Sequence, residues 1–130
     1  MTEAPRIPVS WGELLDKISI LEIKAARIAD PAARANVGAE LALLSEVAQP
    51  ALAAHPETAP VLAALKKINE ILWDIEDRIR EHERAGDFGT TFVDLARAVY
   101  RTNDERGRLK RRLNELLGSA LVEEKHYSAY

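Results

Sequence analysis

Residues 59–84 read APVLAALKKINEILWDIEDRIREHER, and this stretch decides the fold. Its apolar side chains recur every three or four residues, which is the spacing of one face of an α-helix. The members of this apolar stripe are Val61, Leu65, Ile68, Leu72, Ile75 and Ile79. No part of the stretch alternates apolar and polar residues as a half-buried strand does. It therefore predicts one long helix with a single face that other helices must cover.

Beside this stripe runs a row of hydrophilic and amphipathic side chains. They are Asn69, Trp73, Glu76 and Arg80, at positions i, i+4, i+7 and i+11. A helix keeps such positions on one face, so packing against a neighbouring helix partly buries them. Because buried ionisable groups are costly without partners, the row predicts either a salt-bridged seam between helices or the lining of a site.

Three other segments also have helical spacing. With the long stretch, the predicted helices cover residues 11–29, 32–47, 59–84 and about 91–118. Ser10 and Glu13 match a capping box at the start of the first helix, and Asp30-Pro31 ends that helix and begins the second. A tight turn at residues 86–90 separates the third helix from the fourth. Residues 49–60 contain three prolines and are expected to be irregular, with at most a short helical turn.

These segments predict an all-α fold, a bundle of four main helices in one domain that spans residues 1–130. Residues 1–9 form an extended lead-in and residues 121–130 form a tail. The third and fourth helices are joined by a short turn, so they are expected to form a long antiparallel hairpin. The first helix is apolar on two sides and is expected to lie between neighbours. This surplus of apolar surface predicts a homodimer.

The composition is that of an ordinary water-soluble domain. With 47% hydrophobic and 30% charged residues, the chain is too apolar for disorder and too charged for a membrane span. It has no cysteine and no secretory signal, so we expect a cytoplasmic protein without a membrane partner. The fourth helix is rich in arginine, but acidic residues interleave and the net charge is −3, so nucleic acid is not an expected partner. Nothing in the sequence calls for a cofactor.

The fourth helix carries polar residues in the middle of its packing face. Glu22, within the apolar stripe of the first helix, is an expected partner for them. The candidate ligand-binding residues are Glu22, Asn69, Trp73, Glu76, Arg80, Tyr100, Asn103, Arg106 and Lys110. Two interpretations stay open. The residues form an interhelical site whose arginine donors hold an anion, or they form a closed salt-bridge network that sets the register of the helices.

An enzyme is the contrasting interpretation. In a mutase-like site, Arg80, Arg106 and Lys110 hold an anionic or phosphorylated substrate, and Glu22 or Glu76 acts as general acid or base. Carboxylates on the outer side of the third helix raise the alternative of a metal-dependent, phosphohydrolase-like site. They are Glu70, Asp74, Asp77 and Glu81. A solvated face with local ion pairs explains this stripe better, so no metal is predicted.

Four segments of the sequence form distinctive motifs. They read SWGELLDKISILEIK (residues 10–24), LWDIED (residues 72–77), YRTND (residues 100–104) and NELLGS (residues 114–119). A chain with these motifs resembles a family of short bacterial proteins catalogued as a domain of unknown function. The resemblance covers almost the whole chain, and it implies a stand-alone helical domain to which no assigned activity carries over.

The motif segments contain more charge than core packing explains. Their inward-facing members are expected to be Glu22, Trp73, Glu76 and Asn103, and their outward-facing members Asp16, Lys17, Lys24, Asp74, Asp77 and Arg101. A ligand or partner surface built from helices one, three and four accounts for this charge. The sequence therefore predicts a small binding or accessory domain that recognises an anionic metabolite or a partner protein through the polar seam. A purely structural or oligomerisation module is a further alternative.

Overall fold

The computed structural model describes residues 2–130 and contains four α-helices. They are α1 (Trp11–Arg27), α2 (Pro31–Ala54), α3 (Ala59–Ala85) and α4 (Thr90–Leu117), with a short 3₁₀ turn at Pro56–Thr58 between α2 and α3. Residues 2–130 form no strand, so the predicted all-α fold is confirmed. Within the same residues, no helix combines the length and the apolar character needed to cross a membrane.

The residues at the helix ends act as the sequence predicts. Ser10 accepts a hydrogen bond from the backbone N–H of Glu13 at 3.2 Å, at the start of α1. Asp30 accepts one from the N–H of Ala33 at 2.9 Å, at the start of α2. Gly86 ends α3 with a φ of 66°, a left-handed conformation that glycine adopts without steric cost. The predicted ends of α1 and α3 agree with the structure to within about two residues.

Helix α2 is longer than predicted. It continues beyond its expected end and through Pro50 to Ala54. A proline inside a helix removes a backbone hydrogen bond and costs about 3 kcal/mol. Continuing the helix keeps Leu44, Ala48 and Leu52 on one face, which packs into the hydrophobic core. The prediction that α2 ends at residue 47 is wrong because burial of this face offsets the local cost of the proline.

The hydrophobic core lies where the four helices meet. Its buried members are Leu15 and Ile18 of α1, Ala48 of α2, Leu65 of α3 and Leu113 of α4. The predicted hairpin of α3 and α4 is the most extensive helix contact in residues 2–130. Helix α1 packs against each of the other three helices, whereas α2 packs chiefly against α1. The prediction that α1 lies between neighbours is therefore confirmed, and α1 covers one face of the hairpin.

Two backbones approach each other closely where α1 meets α4. A Cβ atom on Gly12 would clash with the carbonyl oxygen of Lys110. The N–H of Gly12 donates a hydrogen bond to Oδ1 of Asn114 at 2.7 Å, and the N–H of Trp11 donates to Oγ of Ser119 at 3.2 Å. These bonds satisfy N–H groups that the first turn of a helix leaves unpaired, and they hold the N-terminal end of α1 against the C-terminal end of α4 and the residues just after it.

Candidate binding site

An aspartate lies at the centre of the contact between α1, α3 and α4. Asp16 has only 1% of its surface exposed. Arg106 donates its Nε–H to Oδ1 of Asp16 at 3.0 Å and an Nη2–H to Oδ2, which gives a two-pronged ion pair. Asn69 donates from Nδ2 to Oδ1 of Asp16 at 2.9 Å and to Oγ of Ser19 at 3.3 Å. The prediction that Asp16 faces outward is therefore wrong, because this carboxylate links three helices.

The residues on the face of α1 that carries Asp16 explain why the apolar pattern of the sequence did not predict that Asp16 is buried. Gly12 and Ser19 lie one turn before and one turn after Asp16, and all three residues are buried. Small residues let a neighbouring helix come close, so side chains from α3 and α4 reach the carboxylate. A search for apolar stripes cannot detect a buried face of this kind. The signal that could have found it is a pair of small residues flanking an acidic residue at helical spacing.

A second cluster of buried charge adjoins Asp16. The Nζ atom of Lys110 lies 2.8 Å from Oε2 of Glu13 and 2.8 Å from Oε2 of Glu123. Burial opposes the charge of Lys110, but hydrogen bonds to Glu123 and Glu13 outweigh burial and raise its pKa above the ordinary value. The same contact lowers the pKa of Glu123. In residues 2–130 every fully buried side-chain nitrogen or oxygen has a partner, so this part of the seam is a closed network.

The contact between Lys110 and Glu123 predicts a pH-dependent attachment of the tail. Folding lowers the pKa of Glu123 from 4.5, so its contribution to stability is complete above that value and is lost as the pH falls through the folded-state pKa. Because Glu123 is partly exposed, we expect the free energy of unfolding to fall by at most about 1 kcal/mol when this contact is lost. Urea unfolding at pH 7 and at about pH 3 measures the loss. The Glu123→Gln variant should lose less unfolding free energy than the wild type between these two pH values. Equal losses in the variant and the wild type would contradict the pH-dependent contact of Glu123 with Lys110.

An open groove adjoins the closed network where α1 covers the hairpin. Its volume is about 320 Å³. The lining residues are Ile20 and Ile23 of α1, Asn69, Leu72, Trp73, Glu76 and Asp77 of α3, and Val99, Asn103 and Arg106 of α4. Aliphatic side chains form part of the wall, and an indole, amides, carboxylates and one guanidinium form the rest. Asn69 and Arg106 belong to both the groove and the closed network, so the network orients two of the polar side chains in the groove.

Charged residues surround the aromatic wall of the groove. The guanidinium of Arg27 lies 5.6 Å from the centre of the Trp73 ring, within the range in which a cation is attracted by an aromatic face. The same guanidinium pairs with Oδ1 of Asp74 at 2.6 Å. Glu76 pairs with Arg80, one turn further along α3. These pairs lie at the surface, so each contributes at most about 1 kcal/mol to stability.

The groove brings together part of the predicted site. The candidate residues that line it are Asn69, Trp73, Glu76, Asn103 and Arg106. Arg80 is exposed beside Glu76, Lys110 belongs to the closed network, and Tyr100 packs against Tyr130 with ring centres 5.1 Å apart. The C-terminal tail, rather than the groove, is thus the neighbour of Tyr100.

The structure places Glu22 away from the groove. It is exposed and pairs with Lys66 of α3 at 3.1 Å. An open gap between α1, α2 and α3 leaves both side chains in contact with water. The predicted inward position of Glu22 is therefore wrong. The reason is that α2 packs chiefly against α1 and does not close the space beside α3.

The cations that were expected to hold an anion already have carboxylate partners, and two of them, Arg106 and Lys110, lie beside the same buried Asp16. Arg80 pairs with Glu76, Arg106 with Asp16, and Lys110 with Glu13 and Glu123. The hydrogen bond to Asp16 raises the pKa of Arg106, so this guanidinium keeps its charge and its partner. An anion could recruit these side chains only by replacing the carboxylates that already bind them.

The acidic stripe on α3 does not assemble into a metal site. Within residues 2–130, no group of three or more histidine, aspartate or glutamate side chains could hold an ion. Asp74 pairs with Arg27, whereas Asp77 lines the groove. The alternative metal-binding residues Glu70, Asp74 and Asp77 therefore do not form one cluster of carboxylates.

The fold and the groove define a small helical domain with an open groove between α1, α3 and α4 and a closed polar network beside it. A family model described as a family of unknown function (DUF6165) matches residues 6–130, and the chain belongs to this family. No curated protein and no solved structure matches the chain. The predicted resemblance to a domain of unknown function is therefore confirmed, and it carries no activity to this chain.

Proposed function

We propose that this domain binds a segment of a partner protein in the groove between α1, α3 and α4. The observation that carries the proposal is the groove itself, with a volume of about 320 Å³ and an aromatic wall at Trp73. Tryptophan and arginine are enriched among residues that anchor protein interfaces. The closed network holds Arg106 through Asp16 before any partner binds, and such preorganisation lowers the entropic cost of association.

The shape and the charges of the groove favour a protein segment over an anionic metabolite. Sites for small molecules bury most of their ligand, but this groove is open on its outer side. Its one lining cation, Arg106, is paired with Asp16, and Glu76 and Asp77 add negative charge to the wall. A protein segment can fill an open groove because the body of the partner provides the remaining cover.

The positions of the candidate catalytic residues support an enzymatic function less well than a binding function. Glu22 and Glu76, the carboxylates expected to transfer protons, lie on separate surfaces beside Lys66 and Arg80. Neither carboxylate faces Lys110, whose ammonium is held by the closed network. A purely structural role accounts for the closed network but not for the open groove, so binding is the single function that we propose.

Photo-crosslinking at one position tests the proposal. Trp73 is replaced with p-benzoylphenylalanine, a photoreactive aromatic residue, and the full chain is irradiated in extract from its native cells. The matched control carries the same group at Leu43 of α2, which is 62% exposed and lies outside the groove. We expect the Trp73 position to capture a defined protein that the Leu43 position does not. The captured segment, made as a synthetic peptide, should then shift the NMR signals of Asn69 and Asn103.

The control is stringent because nonspecific adhesion favours the more exposed position. Capture of the same proteins at Trp73 and at Leu43 would contradict the proposal. So would a captured peptide that leaves the NMR signals of the groove unchanged. The predicted homodimer and the predicted cytoplasmic location stay predictions, and light scattering of the purified chain measures the first of them.

A further inference from the structure

The groove leaves a hydrogen-bond acceptor unused. Asn69 donates from Nδ2 to Asp16 and to Ser19. Because an ionised carboxylate only accepts, this contact assigns the donor end of the amide to Asp16 and leaves Oδ1 for other partners. Within residues 2–130, Oδ1 of Asn69 accepts no hydrogen bond, although the residue is only 6% exposed. Every fully buried side-chain oxygen has a partner, so this oxygen is not fully buried, and Asn69 is one of the residues that line the groove.

The lining of the groove also carries negative charge. Asp16 neutralises Arg106, the single cation among the lining residues. The carboxylates of Glu76 and Asp77 remain, and within residues 2–130 no ion pair involves Asp77. Glu76 pairs with Arg80, but their side chains are 46% and 69% exposed, and such a surface pair contributes at most about 1 kcal/mol. The groove therefore offers acceptors and negative charge to whatever enters it.

We infer that the partner protein presents a lysine or arginine side chain to the groove, and this inference rests on the proposed function. The methylene stem of that side chain lies along Leu72 and Val99, and its cationic head meets Glu76 and Asp77. Long basic side chains commonly bury their stems on apolar surface while the charged head stays near water. The occupant thus matches both the aliphatic wall and the charge of the groove.

The open shape of the groove favours a basic side chain on a protein segment over a free amine. A free amine fits the charge equally well, but an open groove would leave most of it in water. The occupant is therefore a basic side chain within a protein segment.

Three blocked tripeptides test the inference. They are acetyl-Leu-X-Leu-amide with X as lysine, glutamine or glutamate, titrated into the full chain while the NMR signals around the groove are followed. We expect the lysine peptide to bind about tenfold more tightly than the glutamine peptide, and the glutamate peptide to bind more weakly still. The double variant Glu76→Gln with Asp77→Asn should remove the preference for lysine. The control Glu70→Gln with Glu81→Gln also removes two carboxylates from α3, both outside the groove, and it should keep the preference.

The outcomes separate this inference from the proposed function. If the glutamine or glutamate peptide binds as tightly as the lysine peptide, the inference fails and peptide binding stands. If none of the three peptides shifts the signals of the groove, both proposals fail. If n-butylammonium binds as tightly as the lysine peptide, the groove is a site for a free amine and the partner-protein assignment is overturned. Retention of the lysine preference in the double variant would also contradict the inference.

Discussion

Replacing Asp16 with asparagine is expected to lower the free energy of unfolding by about 3 kcal/mol. The replacement keeps the size of the side chain and removes the charge that Arg106 binds and that lies 4.0 Å from Lys110. Removing one member of a buried ion pair costs about 3–5 kcal/mol because the other charge stays buried. We expect the lower end of this range because the side chain of Arg106 is 25% exposed. Urea unfolding followed by circular dichroism measures the effect.

The matched control for this prediction is Glu22→Gln, which removes a carboxylate from the same helix. Glu22 and Lys66 form a surface pair with side chains 43% and 42% exposed, so the expected loss is below about 1 kcal/mol. Adding Arg106→Met to Asp16→Asn removes the unpaired charge and should restore part of the lost stability. Equal losses for the Asp16 and Glu22 variants would show that Asp16 is not the centre of the contact.

The variant Gly12→Ala is expected to be comparably destabilising, although it adds only one methyl group. The new Cβ atom would clash with the carbonyl oxygen of Lys110 and lie 3.0 Å from Oδ1 of Asn114. Because the first of these atoms belongs to the backbone of α4, α1 must move away and the hydrogen bond from Gly12 to Asn114 is weakened. Overpacking costs about 1–3 kcal/mol and loss of the hydrogen bond about 1 kcal/mol. We therefore expect the free energy of unfolding to fall by about 3 kcal/mol in total.

Gly38→Ala provides the control for Gly12→Ala. Gly38 lies within α2, it is exposed, and no atom lies within 4 Å of an added Cβ. Alanine is favoured over glycine inside a helix by about 0.5–1 kcal/mol, so this variant should be more stable than the wild type. Thermal unfolding of the two variants should therefore give melting temperatures on opposite sides of the wild-type value. A Gly12→Ala protein as stable as the wild type would mean that α1 and α4 are further apart than described.

Much of the fold could be predicted because helices are specified by residues close together in the sequence. Leu65 and Ile75 belong to the apolar stripe of α3, and the structure leaves them 0% and 8% exposed. The caps at Ser10 and Gly86 act within one or two turns of their own helices, so local chemistry was enough to predict them. The end of α2 could not be predicted in this way, because Leu52 packs against helices that are distant in the sequence.

The candidate site was only partly predictable. Asn69 flanks the apolar stripe of α3 and Arg106 interrupts the stripe of α4, and these positions led to the prediction that both lie in the interhelical seam, where the structure places them. The same argument failed for Glu22, which has a suitable spacing but faces a gap between helices. It also failed for Asp16, whose face of α1 contains small and polar residues and is buried all the same.

The sequence by itself determined the number of α-helices, the approximate ends of α1, α3 and α4, and the hairpin of α3 and α4. Only the tertiary structure decided which charges meet, that Asp16 rather than Glu22 joins the helices, and that the polar seam divides into a closed network and an open groove. The physical reason is that residue spacing specifies the face of a helix on which a side chain lies. Which side chains of other helices that face contacts is set by the packing of the helices, such as the close approach of α1 to α4 at Gly12. This packing depends on contacts between residues about a hundred positions apart in the chain.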